Sequence, residues 1–352
     1  MGFIQRSSRR ESFSCVMAVA IAFVAASAAI AQIRQAGFEA FRRGTPGNAG
    51  ANLYVSRSGK VQVINHWDLN RDGYNDILIS NDHDNDEVVD AMVYWNSTKG
   101  FAPLLPDLWR EQPLARTLFG LLDGGGKGIT RLPAFGGGKS LIADLNGDGY
   151  PDLVFCNYIH NYPGVRSAYV YWGGARGYDP KARTELPTNW AAGVAAADLN
   201  GDGFLELVFA NQGSESGAEN ISADTGLDSY IYWGSARGYD PKAPQLLLTD
   251  GARDVAIADL NGDGHPDLAF LNGERQAKNV QVFWGAAGGR YSKDRTQVAA
   301  VPDPITIRAG DLNRDGIADI VITTSAAAQS IAMDIAHKDP GAVVVLFGSK
   351  KG

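Results

Sequence analysis

Five short stretches of this 352-residue chain place carboxylate and amide oxygens at one fixed, odd-numbered spacing. The sets are Asp68, Asn70, Asp72 and Asp76; Asp144, Asn146, Asp148 and Asp152; Asp198, Asn200, Asp202 and Glu206; Asp259, Asn261, Asp263 and Asp267; and Asp311, Asn313, Asp315 and Asp319. Each reads Asp-Leu-Asn-x-Asp-Gly-x-x-Asp, with Glu closing the third. Oxygens at positions 1, 3, 5 and 9, joined by the backbone carbonyl of position 7 (Tyr74, Tyr150, Phe204, His265 or Ile317), can wrap a hard cation that takes roughly 6–8 oxygen ligands. Gly at position 6 permits the sharp turn. One calcium ion in each of the five loops is the expectation, because loops this rich in carboxylate repel themselves without a metal.

The same opening positions begin an EF-hand, which needs a bidentate Glu at position 12. Position 12 here is Ile79, Phe155, Phe209, Phe270 or Ile322, so that reading is excluded. A short apolar, β-rich run follows each loop instead: Ile77–Ile79, Leu153–Phe155, Leu207–Phe209, Leu268–Phe270 and Ile320–Ile322. The loops therefore join strand to strand. Between loops an aromatic strand recurs, at Tyr94-Trp95, Tyr171-Trp-Gly173, Tyr232-Trp-Gly234, Phe283-Trp-Gly285 and Leu346-Phe-Gly348. A turn rich in Gly, Lys and Arg follows it, as in Ala175–Lys181 and Ala236–Lys242. Successive loops start 76, 54, 61 and 52 residues apart. Such a period marks a repeat architecture, and a unit with a strand before the loop, one after it, the aromatic strand and a weaker fourth is a propeller blade.

On these residues the chain resembles the FG-GAP/VCBS repeat family, whose relatives include the calcium-carrying β-propellers of integrin α subunits. The resemblance runs from about Leu53 to the C-terminus. It implies an all-β fold, a β-propeller of four-stranded antiparallel blades with calcium between the first and second strands, and an extracytoplasmic binding role. Five repeats are recognisable where the integrin propellers usually have seven. Residues 53–352 give five blades about 60 residues each. A five-bladed propeller and a fragment of a larger one both agree with that count. In the first case the segment Ala51–Ser56, ahead of the leading strand Val61–Ile64, is expected to complete the last blade and hide both sheet edges.

Residues 1–31 read as a signal peptide: Arg6, Arg9 and Arg10 precede the apolar stretch Val16–Ile30, which ends on Ala29-Ile-Ala31. The stretch is short and Ala-rich for a membrane span, so no transmembrane segment is expected in the mature chain. Residues 32–52 read as a lead-in and 53–352 as the propeller. An exported chain keeps Cys156 alone, so it has no internal disulfide. Bound calcium supplies rigidity in its place. The formal net charge of −7 becomes about −9 after cleavage, much of it in the loops. With no basic run interleaved with aromatics, nucleic acid is not an expected partner.

In an up-and-down blade, connections alternate between the two faces. The calcium loops share a face with the Gly/Lys turns, and the loops between second and third strands lie opposite: Asn81–Glu87, Asn157–Tyr162, Asn211–Asp228, Asn272–Arg275 and Thr324–Pro340. The segment from about Leu108 to Lys139 is assigned there too. Long, unlike loops on a rigid scaffold form a binding surface. Tyr158, His160 and Tyr162, with Asn157, Asn161 and Asn211, suit a glycan or protein ligand in a secreted, periplasmic or cell-surface setting. The alternative is a calcium-dependent polysaccharide lyase or hydrolase using His83 among Asp82, Asp84 and Asp86, with His160 as acid or base. No nucleophile-elbow, zinc-protease or phosphate-loop motif is present, so binding is favoured over catalysis.

Overall fold

The computed structural model describes residues 68–81, 90–101, 128–135, 139–158, 167–213, 228–273, 278–324 and 342–350, and the backbone at 52–55 and 61–65. The signal-peptide assignment, the Asp82–Asp86 cluster with His83, His160 and Tyr162 lie outside these residues. Within them every regular element is a strand, and the strands form five sheets.

The first sheet contains β1 (Asn52–Val55), β2 (Val61–Asn65), β3 (Ile77–Asn81), β4 (Ala91–Tyr94) and β5 (Ile129–Leu132), in the spatial order β2-β1-β3-β4-β5. The second runs β6 (Ser140–Ala143), β7 (Asp152–Phe155), β8 (Ser167–Tyr171) and β9 (Arg183–Pro187) in chain order. The third is β10 (Ala191–Ala197), β11 (Glu206–Asn211), β12 (Ser229–Tyr232) and β13 (Gln245–Leu247). The fourth is β14 (Ala252–Ala258), β15 (Asp267–Asn272), β16 (Asn279–Phe283) and β17 (Thr296–Ala300). The fifth has β18 (Pro304–Gly310), β19 (Asp319–Thr324) and β20 (Val343–Leu346). Sheets two to five are antiparallel throughout, as expected of propeller blades.

The second strand of each blade is the apolar run after a loop, and it is covered on both faces: β7, β11 and β15 are buried at every residue. That is why those runs are continuously apolar rather than alternating. Neighbouring sheets share their cores. Val154, Val170 and Leu186 of sheet two pack with Leu207, Phe209 and Tyr232 of sheet three. Leu268, Phe270 and Phe283 of sheet four pack with Val208 and Ile231 of sheet three.

Tyrosines in the turns after the aromatic strands tie each sheet to the one before. Tyr178 stacks on Trp95 at 5.9 Å between ring centroids, and Tyr239 on Trp172 at 6.2 Å. Each indole N–H donates to a threonine hydroxyl of its own sheet, Trp95 to Thr130 at 2.8 Å and Trp172 to Thr184 at 3.0 Å. The turn glycine clears the ring. Gly177 has φ +78°, and a Cβ there would fall 2.5 Å from Trp95 Cζ2.

Two expectations change. The segment expected to complete the last blade, Ala51–Ser56, contributes β1 to the first sheet, antiparallel to β2 and parallel to β3, and so separates β2 from β3. Only five residues, 56–60, link β1 to β2, so this pairing closes a far shorter loop than one spanning the whole propeller. In the segment assigned to a binding-face loop, Ile129–Leu132 is the outer strand of the first sheet, paired with β4. The stretch 102–127 thus connects third strand to fourth.

The close approach of sheet and loop generates a sharp contrast. A Cβ on Gly285 would lie 2.1 Å from the Pro266 carbonyl oxygen, whereas one on Gly310 meets nothing within 4 Å. Gly285→Ala should therefore destabilise by about 2 kcal/mol or more. Gly310→Ala should be neutral or gain up to about 1 kcal/mol through the unfolded chain. Denaturant melts of the two variants check this.

Candidate metal centre

Each loop is a chain of side-chain-to-backbone hydrogen bonds repeated with little variation. The amide of position 5 donates to Asn Oδ1 at position 3 over 2.8–3.1 Å in all five loops. The position 7 amide donates to the position 5 carboxylate over 2.8–3.0 Å. The Gly amide at position 6 donates to the position 1 carboxylate over 2.7–3.0 Å. That Gly carries φ between +85° and +93°, which only Gly adopts without strain. Position 4 is left-handed as well: Gly147, Gly201 and Gly262 take it freely, and Arg71 (φ 58°) and Arg314 (φ 64°) take it at a cost.

Position 9 has a second task. Asp76, Asp152, Glu206, Asp267 and Asp319 are fully buried. One carboxylate oxygen accepts the amide of Leu at position 2, from Leu69, Leu145, Leu199, Leu260 and Leu312, over 2.6–2.9 Å. The other accepts the amide just after the aromatic strand, from Asn96, Gly173, Gly285 and Gly348 over 2.7–2.9 Å. Glu206 reaches Gly234 less closely, at 3.2 Å. The glycines are needed because each sits against the carbonyl of position 8; the first sheet uses Asn96, whose own amide side chain donates to Asn75 O. Nearby, Tyr178, Tyr239 and Tyr291 donate their hydroxyls to the position 8 carbonyls of Pro151, Leu205 and Pro266. The Asp-rich loops and the Gly/Lys turns therefore share a face.

Burial pushes the Asp76 carboxyl up to about 7 and those of Asp152 and Asp267 to about 6, and raises Glu206, while the two amide donors and the neighbouring position 1 and 5 carboxylates pull in opposite directions. Ionised carboxylates held in such a place are costly unless a cation lies close. The donor set fits a hard cation: carboxylates, a side-chain amide oxygen and a backbone carbonyl. Asp144 Oδ1 is buried without a hydrogen-bond partner, an acceptor left over in the second loop. Among the described residues no group of three or more His, Cys, Asp or Glu side chains is positioned to hold a metal ion.

Neighbouring loops touch. The Arg71 guanidinium lies over the Tyr150 ring, 5.7 Å from its centroid. The Ala318 and Ser349 amides donate to the carbonyls of Asp259 and Leu260 at 3.1 and 3.2 Å.

On the opposite face, Asn157 and Asn211 are not open amides. Asn157, buried with φ 54°, accepts from the Phe135 amide and donates to Ser167 O, and Asn211 donates to Asp228 O. Both pin the base of their loops. Tyr158 follows Asn157 and is half-buried. Cys156 is buried and its thiol pushed up by desolvation, so it is no nucleophile.

The two carboxylate roles separate in chelator. Asp152→Ala removes the acceptor of two amides, each costing about 1–3 kcal/mol when buried and unpaired, and should destabilise the metal-free protein severely. Asp148→Ala removes an exposed acceptor and should cost the metal-free protein less than about 1 kcal/mol. Urea melts with excess chelator measure both.

A family model described as an FG-GAP-like repeat matches residues 144–209 and 259–322, each from the first Asp of one loop to the strand behind the next loop. Phosphatidylinositol-glycan-specific phospholipase D of Bos taurus is 26% identical over 185 residues, 45% of this chain and 21% of that protein. T-cell immunomodulatory protein of Rattus norvegicus is 26% identical over 218 residues, 60% of this chain and 32% of that one. The chain thus spans between a fifth and a third of these relatives' lengths. Among solved structures, the V. cholerae biofilm matrix protein Bap1 aligns with 80% of this chain and 37% of its own at 16% identity and a TM-score of 0.40. With loops, strands and matched segments in one register, residues 144–209 and 259–322 carry FG-GAP-like repeats.

Proposed function

We propose that this chain is an exported, calcium-stabilised propeller that serves as a binding module for a glycan or protein partner. The observation that carries this reading is the contrast between five near-identical oxygen-rich loops joining first to second strands and second-to-third-strand connections of unlike length and sequence, which leave from the opposite ends of the second strands. Scaffold and binding surface are then separate. The N-terminal pattern of charged, apolar and small residues supports export, and no helix among the described residues is long and apolar enough to cross a membrane. Similarity to FG-GAP-containing proteins supports a binding role in general.

Asp68, Asp144, Asp198, Asp259 and Asp311 with their partners at positions 3 and 5 would hold the ions, and the position 9 carboxylates would complete each set with the oxygen lone pairs their amide donors leave over. A bound cation would offset the charge repulsion within each loop. It would also fix the strand before the loop to the strand after it.

Chelation should lower the melting temperature, and calcium should restore it where magnesium does not, since magnesium dehydrates reluctantly and demands a stricter octahedron. An unchanged melt in chelator would defeat the metal assignment. Asp148→Ala and Asp202→Ala should each remove one bound calcium, counted by metal analysis of the dialysed protein. Screening the calcium-loaded protein against glycans and candidate proteins, alongside a polysaccharide cleavage assay, tests the binding reading. Release of unsaturated sugar ends would replace it with catalysis.

A further inference from the structure

One position of the inner strands stands apart from the metal loops. Counting five residues back from the first Asp of each loop gives Lys139, Gly193, Asp254 and Thr306 in sheets two to five. The register confirms the equivalence, since the next residues Ser140, Val194, Val255 and Ile307 pair with Phe155, Phe209, Phe270 and Ile322. In sheet three this position lacks a side chain. A Cβ on Gly193 would fall 2.8 Å from the Asp254 Cα. Lys139 passes over sheet three and places Nζ 3.1 Å from Asp254 Oδ2. Arg308, two residues beyond Thr306 and so on the same side of β18, places Nη1 3.0 Å from that same oxygen.

Asp254 is rigidly seated. Its side chain is 4% exposed, and it also accepts the Ile307 amide on Oδ2 and the Val255 amide on Oδ1. Against this one buried carboxylate stand two cations that remain accessible, Lys139 at 35% and Arg308 at 68% exposure. The cluster keeps a net positive charge in a chain that is otherwise acidic. Lys139 and Asp254 lie at the strand ends away from the Asp-rich loops, and Arg308 reaches Asp254 from the middle of β18. The Cys156 amide donates to Lys139 O, so the chain leading to Tyr158 departs beside Lys139.

We propose that Lys139 and Arg308, held by Asp254, form an oxyanion site that recognises the carboxylates of an acidic glycan. This rests on the binding reading above and names its ligand class. A planar guanidinium with donors to spare suits a carboxylate bidentately, and the half-buried Tyr158, two residues after the Cys156 that donates to Lys139 O, offers an aromatic residue on the Lys139 side for a sugar. An acidic peptide offers the carboxylate without the sugar ring.

The test compares a uronic acid trisaccharide with its carboxyl-reduced, neutral counterpart by calorimetry, with calcium in excess so that the metal loops are filled. The acidic trisaccharide should bind at least about tenfold tighter, and raising the salt should weaken it. Arg308→Gln should lose about tenfold or more, Arg308→Lys should retain much of the affinity, and Lys139→Gln should weaken binding while calcium content stays at the wild-type value. Melting curves and metal content show that each variant folds. Equal affinity for acidic and neutral trisaccharides, or an Arg308→Gln variant that binds as well as wild type, overturns the oxyanion site and leaves the binding reading standing. Tighter binding of a glutamate-rich peptide than of the trisaccharide overturns the glycan assignment. Failure of both trisaccharides also overturns it, while the protein arm of the wider screen still decides the binding reading.

Discussion

A buried carboxylate that must accept two backbone amides is the constraint on which each blade is built. Position 9 opens the second strand, its first oxygen holds the start of the loop, and its second holds the end of the aromatic third strand. Taking a carboxylate out of water is expensive unless its lone pairs are satisfied. The chain therefore has to deliver both amides to one point, and doing so brings three segments of the blade together. The loop cannot slide against the strands, because a shift of one residue would strand the carboxylate. It also explains why Gly follows the aromatic strand in four blades, since in those blades a Cβ there would strike the carbonyl one residue before the carboxylate.

The effect of that junction extends beyond one sheet. The same position 8 carbonyl accepts the hydroxyl of the turn tyrosine, whose ring in turn stacks on the tryptophan of the preceding sheet. Burying the hydroxyl is tolerable because the carbonyl is there, and placing the ring is possible because a left-handed glycine makes room for the indole. Loop geometry, turn geometry and contact between sheets are thus one linked problem, solved alike in sheets two and three. The carboxylates of the Asp-rich loops lie next to this joint, so their charge and the sheet packing are coupled through backbone only a few atoms long.

Loops and second strands were legible because their signals are local. Asp, Asn, Asp and Gly at fixed spacing specify a turn, and Leu207-Val-Phe209 can only be a buried strand. The double role of position 9 was not legible, because its donors are backbone amides, one at position 2 and the other 18–29 residues downstream, and a backbone amide leaves no mark in residue type. The glycine after Trp172, Trp233 and Trp284 was the available signal, visible as a repeat but explained only by the Pro151, Leu205 and Pro266 carbonyls. Asn157 and Asn211 read as open amides, since nothing in sequence distinguishes a ligand-facing amide from one that pins its own loop. Strand β5 was hidden by glycine-rich surroundings, and the place of β1 depended on a competition between two pairings that sequence leaves open.

Nearest-neighbour stacking also sets where the two kinds of polar cluster can arise. A repeat array is stabilised by contacts between adjacent units, so a residue at the same register position in each blade meets its counterparts in the next. In the Asp-rich loops identical residues recur, and every blade keeps its own set of oxygen donors. At the other end of the inner strands the repeat is broken, with Lys139, Gly193, Asp254 and Thr306 in four successive blades. Breaking it lets a charge on one blade cross its glycine-bearing neighbour and meet an opposite charge two blades away. Such a pair costs desolvation that a strictly repeated apolar residue would avoid. The departure from repetition therefore marks the end of the strands where individuality, rather than uniform packing, is what the structure maintains.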